Sequence, residues 1–152
     1  MDKAEAQGRL AAARVGRLAT VTPGGTPHLV PVVFALAGDY LYTAVDSKPK
    51  TTTALQRLAN VDATGQASLL VDEYDEDWST LWWVRVDGTA QVLAPDNRAP
   101  STAPGQATQQ QIHVAIQALT RKYPQYVDQP PSGPVIALRL GRWRWWQASA
   151  TT

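Results

Sequence analysis

The alternation of apolar and polar residues along this chain predicts a succession of short β-strands. Residues 17–21 alternate in polarity, and a nearly continuous apolar run extends over residues 28–36. The short length of this run and its β-branched residues favour a buried strand over a helix. Further strands are predicted at residues 40–45, 67–71, 81–93, 135–140 and 142–146. Short strands at this spacing are typical of an antiparallel sheet that forms most of a small domain.

Helical patterns lie between and around these strands. Residues 3–13 are rich in Ala, Glu, Gln and Arg and follow Asp2, which can cap the first turn. Residues 51–61 form a short amphipathic pattern, and a longer one begins at Thr108. The stretch 94–107 contains several Pro residues and no periodicity, which predicts a flexible surface loop.

These elements predict a single mainly β domain over residues 1–152, with peripheral helices. About six antiparallel strands in so small a chain would close into a barrel, because closure removes unpaired strand edges. In the strand at 81–93, alternation places Trp83, Arg85 and Asp87 on one face and Trp82, Val84 and Val86 on the other. The apolar surface left on the Trp-bearing strands would need a partner, so we expect a two-fold homodimer.

Composition narrows the possible functions. The net charge is +1 with both signs spread along the chain, which does not favour nucleic acid as a partner. No apolar run approaches the roughly 20 residues that span a membrane, and the N-terminus lacks a signal-peptide pattern, so we expect a cytoplasmic location and no membrane partner. Cys is absent, and His28 and His113 are far apart, so no metal site is predicted.

The strongest candidate for ligand chemistry follows the third predicted strand. Ser47, Lys48, Lys50 and the threonines at 51–53 lie between this strand and the next predicted helix. Hydroxyl and ammonium groups would converge there with the unpaired N–H groups of a helix N-terminus, an arrangement that suits a phosphate. The alternative is that the threonines only cap the helix and that the lysines point into solvent.

Several segments of the chain resemble the pyridoxamine 5′-phosphate oxidase-like split-barrel proteins, and in particular the branch that uses the deazaflavin coenzyme F-420. These segments are Tyr42-Thr43 with Ser47, Lys48 and Lys50, and residues 17–25, 27–34, 74–78, 81–88 and 145–147. The resemblance covers most of the chain outside residues 94–107. It implies a six-stranded antiparallel split β-barrel of the FMN-binding split-barrel type that forms a homodimer.

The resemblance also implies a cofactor groove at the dimer interface. The phosphate of the cofactor is expected on the turn formed by Ser47, Lys48, Pro49, Lys50 and Thr51. The rest of the cofactor is expected along Tyr42, Thr43 and Ala44, with its ring beside Val30, Pro31 and Val32. The second subunit would contribute Trp82, Trp83, Arg85 and Trp146. Interface packing without a ligand is the alternative for the Trp residues, because aromatic side chains commonly anchor interfaces.

The activity implied by the resemblance is an oxidoreductase that transfers a hydride from reduced F-420 to a small unsaturated or heteroaromatic molecule. The alternatives are an FMN-binding flavoprotein of the same class and a cofactor-binding protein without turnover. Residues 148–152 lack the basic segment that grips the substrate phosphate in true pyridoxamine phosphate oxidases, so we do not expect vitamin B6 oxidation. No protein-borne nucleophile is evident in the sequence, which agrees with chemistry carried by a cofactor.

Overall fold

An antiparallel sheet of eight strands organises the described part of the chain, which confirms the mainly β prediction. A computed structural model describes residues 1–45, 52–94 and 103–149, without the side chains of 52–55 and 103–104. The strands are β1 (Gly16–Val21), β2 (Pro27–Val32), β3 (Ala35–Ala37), β4 (Tyr40–Ala44), β5 (Gln66–Glu73), β6 (Trp82–Leu93), β7 (Val135–Arg139) and β8 (Arg142–Gln147). The helices are α1 (Lys3–Ala12), α2 (Thr52–Thr64), α3 (Ala103–Lys122) and α4 (Gln125–Asp128), with a 3-10 turn at Trp78–Thr80.

The long strand β6 joins two parts of one antiparallel sheet. The strand order is β2-β1-β5-β6-β7-β4-β3, and β8 also pairs with β6. The first half of β6 pairs with β5 and β8, whereas residues 90–93 pair with β7. Between these halves lies Gly88, where an added Cβ would collide with the carbonyl oxygen of Arg139. Only glycine fits at this crossing, because the β7 backbone passes directly against it.

The described residues form eight strands, whereas the sequence predicted seven strand segments and a barrel of about six strands. The additional strand arises because the apolar run at 28–36 is not continuous. The chain bends at Val33 and Phe34, which separates β2 from β3 at opposite ends of the strand order. At this bend the Phe34 N–H donates to the hydroxyl of Tyr123 at 3.1 Å. The same hydroxyl lies 2.9 Å from the carbonyl oxygens of Phe34 and Arg14, to which it can donate. A side chain therefore takes the peptide hydrogen bonds that a neighbouring strand would otherwise take.

The predicted helices are present, with one boundary corrected. Asp2 caps the start of α1, as the sequence predicted, and Glu5 completes a capping box that was not part of the prediction. The predicted loop at 94–107 is wrong over residues 103–107, which belong to α3, and its part at 95–102 lies outside the described residues. Pro104 does not prevent this earlier start, because a proline in the first helical turn lacks only an N–H that would be unpaired there.

Two apolar clusters form the core. The first lies inside the curled sheet and includes Leu18, Leu41, Leu69, Val84 and Ile136. The second lies between α3 and the strands β3, β4 and β7, and it includes Tyr42, Ala44, Leu119, Tyr123 and Val135. Among the described helices, none has the length and apolar character needed to cross a membrane.

Candidate functional site

The strands β2, β1, β5, β6 and β8 present one face away from the first core cluster, and we call it the outer face. The predicted alternation in β6 is confirmed, since Val84 and Val86 are buried whereas Trp83, Arg85 and Asp87 are partly exposed. Strand register assembles three rows across this face: Pro31, Arg17, Leu70, Arg85 and Arg144; Leu29, Ala19, Ser68, Asp87 and Arg142; and Asp72, Trp83 and Trp146.

An open cleft of about 340 Å³ lies on the outer face, and we call it the aromatic cleft. Its lining residues are Leu70, Asp72, Tyr74, Trp83 and Arg85. Trp146 is the register partner of Trp83 on β8 and is 44% exposed. Aromatic walls beside a guanidinium group suit a flat ring that carries polar or anionic atoms at its edge.

Paired charges hold the polar part of the outer face in place. Arg85 forms an ion pair with Asp87 at 2.9 Å, and Ser68 Oγ donates to the same carboxylate at 2.7 Å. Partial burial alone would raise the pKa of Asp87. The hydrogen bonds from Ser68 and Arg85, with the nearby charge of Arg142, outweigh burial and lower this pKa below its ordinary value. Asp87 is therefore a carboxylate that orients Arg85 at the edge of the aromatic cleft.

A second ion pair involves Asp72, another lining residue of the aromatic cleft, which meets Arg17 at 3.0 Å. Both aspartates of the outer face are thus paired. In the described part of the chain, Arg142 and Arg144 on β8 form no ion pair of their own. The outer face consequently retains positive charge along β8, next to Trp146.

The structure brings together some of the predicted cofactor residues. Trp83, Arg85 and Trp146 are neighbours on the outer face, and Pro31 lies in the same row as Arg85. Trp82 points to the opposite face because successive strand residues alternate. Its indole N–H donates to Glu73 at 3.0 Å, and its ring lies 4.8 Å from the Arg9 guanidinium.

The other predicted cofactor residues lie elsewhere in the chain. Val30 and Val32 contact the first core cluster, while Tyr42 and Ala44 belong to the second cluster beneath α3. Thr43, which lies between Tyr42 and Ala44 on β4, is also buried. Burial raises the pKa of Tyr42, whose hydroxyl accepts a hydrogen bond from Gln111 at 3.2 Å. Ser47, Lys48, Pro49, Lys50 and Thr51 lie outside the described residues.

The family model described as pyridoxamine 5′-phosphate oxidase matches residues 2–147. The chain belongs to this family. No curated protein matches this chain. The family part of the sequence resemblance is therefore confirmed.

Several solved protein structures share the fold of this chain. A conserved hypothetical protein of Mycobacterium tuberculosis has a TM-score of 0.66 at 20% identity, over 97% of this chain and 85% of that chain. An FAD-binding protein of Mesorhizobium loti has a TM-score of 0.62 at 21% identity, over 95% and 94%. A heme storage protein of Vibrio cholerae has a TM-score of 0.65 at 13% identity, over 95% and 93%. At these identities the likeness establishes the split-barrel fold alone.

Sequence reasoning missed part of the aromatic cleft of this family member. Leu70, Asp72 and Tyr74 line it but were not among the predicted site residues. The alternating pattern of β5 was a usable signal, since it places Ser68, Leu70 and Asp72 on one face. Their position opposite Trp83 and Arg85 depends on the β5–β6 register, which the pattern of either strand alone does not specify. Within the described ranges, no group of three or more His, Asp or Glu side chains could hold a metal.

Proposed function

We propose that this protein is an oxidoreductase that binds a flavin-type ring in the aromatic cleft, with reduced coenzyme F-420 as its hydride donor. The observation that carries this proposal is the juxtaposition of Trp83, Tyr74 and Arg85 around one cleft on the outer face. A flat tricyclic ring can pack on these aromatic side chains, and its polar edge can accept hydrogen bonds from the guanidinium group. Membership of the pyridoxamine 5′-phosphate oxidase family and the FAD-binding relative support a ring cofactor of this kind.

Positive charge favours F-420 over an uncharged ligand, because F-420 carries a phosphodiester and an acidic glutamyl tail. Arg142 and Arg144 lie on the same face of β8 as Trp146, without an ion pair in the described part of the chain. Lys48 and Lys50 are the sequence-based candidates for the phosphodiester. Charge-assisted hydrogen bonds from these groups would hold the anionic parts of the cofactor.

The proposal places the cofactor between two copies of the chain. Away from the aromatic cleft, the outer face also exposes apolar side chains, among them Leu29, which is 66% exposed. A two-fold dimer through this face would cover Leu29 and Trp146 and would exclude water from the cleft. When bound, the cofactor supplies the hydride. The chain's own contribution is to orient the ring with Trp83 and to fix Arg85 through its ion pair with Asp87.

A fluorescence titration of the purified protein with F-420, FMN and FAD tests the ligand. We expect saturable quenching by F-420, and weaker binding by about tenfold (about 1.4 kcal/mol) after Trp83→Leu, which removes the aromatic wall. Trp78→Leu is the matched control, because Trp78 lies on the 3-10 turn and does not line the aromatic cleft. A Trp83→Leu variant that folds and binds like wild type would contradict the proposed site.

Turnover is tested separately, by following the oxidation of reduced F-420 with a panel of unsaturated and heteroaromatic acceptors. A yellow protein with an FMN spectrum and no affinity for F-420 would favour the FMN alternative, which the FAD-binding relative also supports. Tight F-420 binding without oxidation across the panel would favour a binding protein without turnover. An absorption spectrum typical of bound heme, without affinity for any of the three flavin-type ligands, would refute the proposal.

A further inference from the structure

A second cavity, of about 450 Å³, lies between α1, β3 and α3, and we call it the α3 cavity. It shares no lining residue with the aromatic cleft. Apolar side chains form one part of its wall, including Leu36, Val114 and Ala118, whereas Gln117, Arg121 and Lys122 form a polar end. This volume falls in the range of roughly 300–1,000 Å³ that small-molecule sites occupy.

Lys122 lines the polar end, and its ammonium group is buried and lacks a polar partner in the described part of the chain. It lies 4.0 Å from the ring centroid of Phe34 and 5.4 Å from that of Tyr123, so aromatic faces are its neighbours. Burial, with the nearby charge of Arg14, lowers the pKa of this ammonium to about 8. A buried cation without a counter-ion is unfavourable, and an anion beside it would relieve that cost.

The other charged residue of the α3 cavity is also a cation. Arg121 lines the cavity next to Lys122, and no carboxylate is among the lining residues. Neither Arg121 nor Lys122 forms an ion pair with any residue in the described ranges. The cavity therefore combines apolar walls with an uncompensated positive end.

The strand β3 also borders this cavity. It lies at the end of the strand order and pairs only with β4 in the described part of the sheet. Ala35, Leu36 and Ala37 all line the cavity. Since alternate residues of a strand point to opposite faces, lining by three consecutive residues places the open edge of β3 at the cavity. Peptide groups at such an edge are available to a ligand.

We propose that the α3 cavity binds a small monocarboxylate with an apolar body. The carboxylate would bind the Arg121 guanidinium at the polar end, and the Lys122 ammonium would turn from the rings of Phe34 and Tyr123 to contact it. The hydrocarbon would pack against Leu36, Val114 and Ala118. A guanidinium group matches the planar carboxylate, and the apolar walls favour a hydrocarbon over the hydration shell of a free inorganic anion. None of these groups takes part in the proposed cofactor site, so the two proposals stand independently.

Isothermal titration calorimetry of the full chain with hexanoate, hexan-1-ol and inorganic phosphate tests ligand binding in the α3 cavity. We expect saturable binding of hexanoate, with hexan-1-ol weaker by at least about tenfold and no binding of phosphate, because the site needs both the charge and the apolar body. Lys122→Met removes the charge but keeps a flexible chain of similar length, and it should weaken hexanoate binding by about tenfold or more. Lys3→Met on the exposed side of α1 is the matched control and should not change the affinity.

A second variant keeps the test independent of the charge change. Ala118→Leu fills the α3 cavity with a good helix former, so it should abolish hexanoate binding while circular dichroism shows an intact fold. Equal affinity for hexan-1-ol and hexanoate would overturn the proposal. So would binding of phosphate alone, unchanged hexanoate affinity in both variants, or the absence of any hexanoate binding to the wild-type chain.

Discussion

The hydroxyl of Tyr123 ties three segments of the chain together, and its removal is a direct test of the fold. It accepts from the buried Phe34 N–H at 3.1 Å, and it lies 2.9 Å from the Phe34 carbonyl oxygen. It also lies 2.9 Å from the Arg14 carbonyl oxygen, between α1 and β1. The substitution Tyr123→Phe keeps the ring and removes only this hydroxyl, so these three peptide groups are the ones affected.

The expected loss of stability follows from the burial of Phe34, which is 0% exposed. Its N–H would be left without a partner, and an unsatisfied buried donor costs about 1–3 kcal/mol. We therefore expect the free energy of unfolding to fall by about 2 kcal/mol. For a chain of this size, that corresponds to a decrease in Tm of about 4–8 °C.

Urea unfolding followed by circular dichroism measures this change. With a slope of about 2 kcal/mol per molar, the midpoint should fall by about 1 M while the slope stays the same. Tyr74→Phe is the matched control, because Tyr74 is an exposed side chain whose hydroxyl loss should change stability by less than about 0.5 kcal/mol. A Tyr123→Phe variant as stable as this control would refute the role given to the hydroxyl at the bend.

Three further predictions follow from features of the structure. Gly88→Ala should lower the free energy of unfolding by more than about 3 kcal/mol or prevent folding, because its Cβ would collide with the β7 backbone. Gly8→Ala on α1 has open space and should raise the free energy of unfolding by about 0.5–1 kcal/mol, and thermal unfolding measures both changes. The Lys122 pKa of about 8 lies below its ordinary 10.5, so the unfolded chain binds more protons between these values and stability should rise with pH over that window. Tyr123, whose pKa is raised by burial, opposes this rise near its upper end, and Lys122→Met should lack the Lys122 contribution when both proteins are unfolded by urea at several pH values. Replacing Lys48 and Lys50 together by Ala should weaken F-420 binding by at least about tenfold in a fluorescence titration, and unchanged affinity would remove them from the proposed site.

Local patterns predicted those features that depend on local physics. The cap that Asp2 forms on α1 lies within one helical turn, and the inner and outer faces of β6 follow from alternation alone. The break at Phe34 could not be read locally, since the hydroxyl that satisfies it lies 89 positions further along the chain. A continuous apolar run gives no sign of such a bend, and a single long strand was the natural prediction.

In the candidate site too, local patterns predicted the faces of single strands but not the pairing between strands. Trp83 and Arg85 were predicted on one face, but their neighbours across β5 depend on a register that only the folded sheet specifies. Trp82 was assigned to the cofactor with Trp83, although alternation alone places adjacent residues on opposite faces. The position of Tyr42 beneath α3 required the packing of a helix whose start the sequence also misplaced.

The two halves of β6 pair with different strands, and this constrains where residues can be inserted into or deleted from the chain. Its first half carries Trp83 and Arg85 in register with β5 and β8, and its second half continues into the pairing with β7. One inserted residue before Gly88 would exchange the two faces of the first half and move the indole of Trp83 into the interior. Insertions and deletions should therefore be tolerated in the connections between strands, while the span of β6 stays constant.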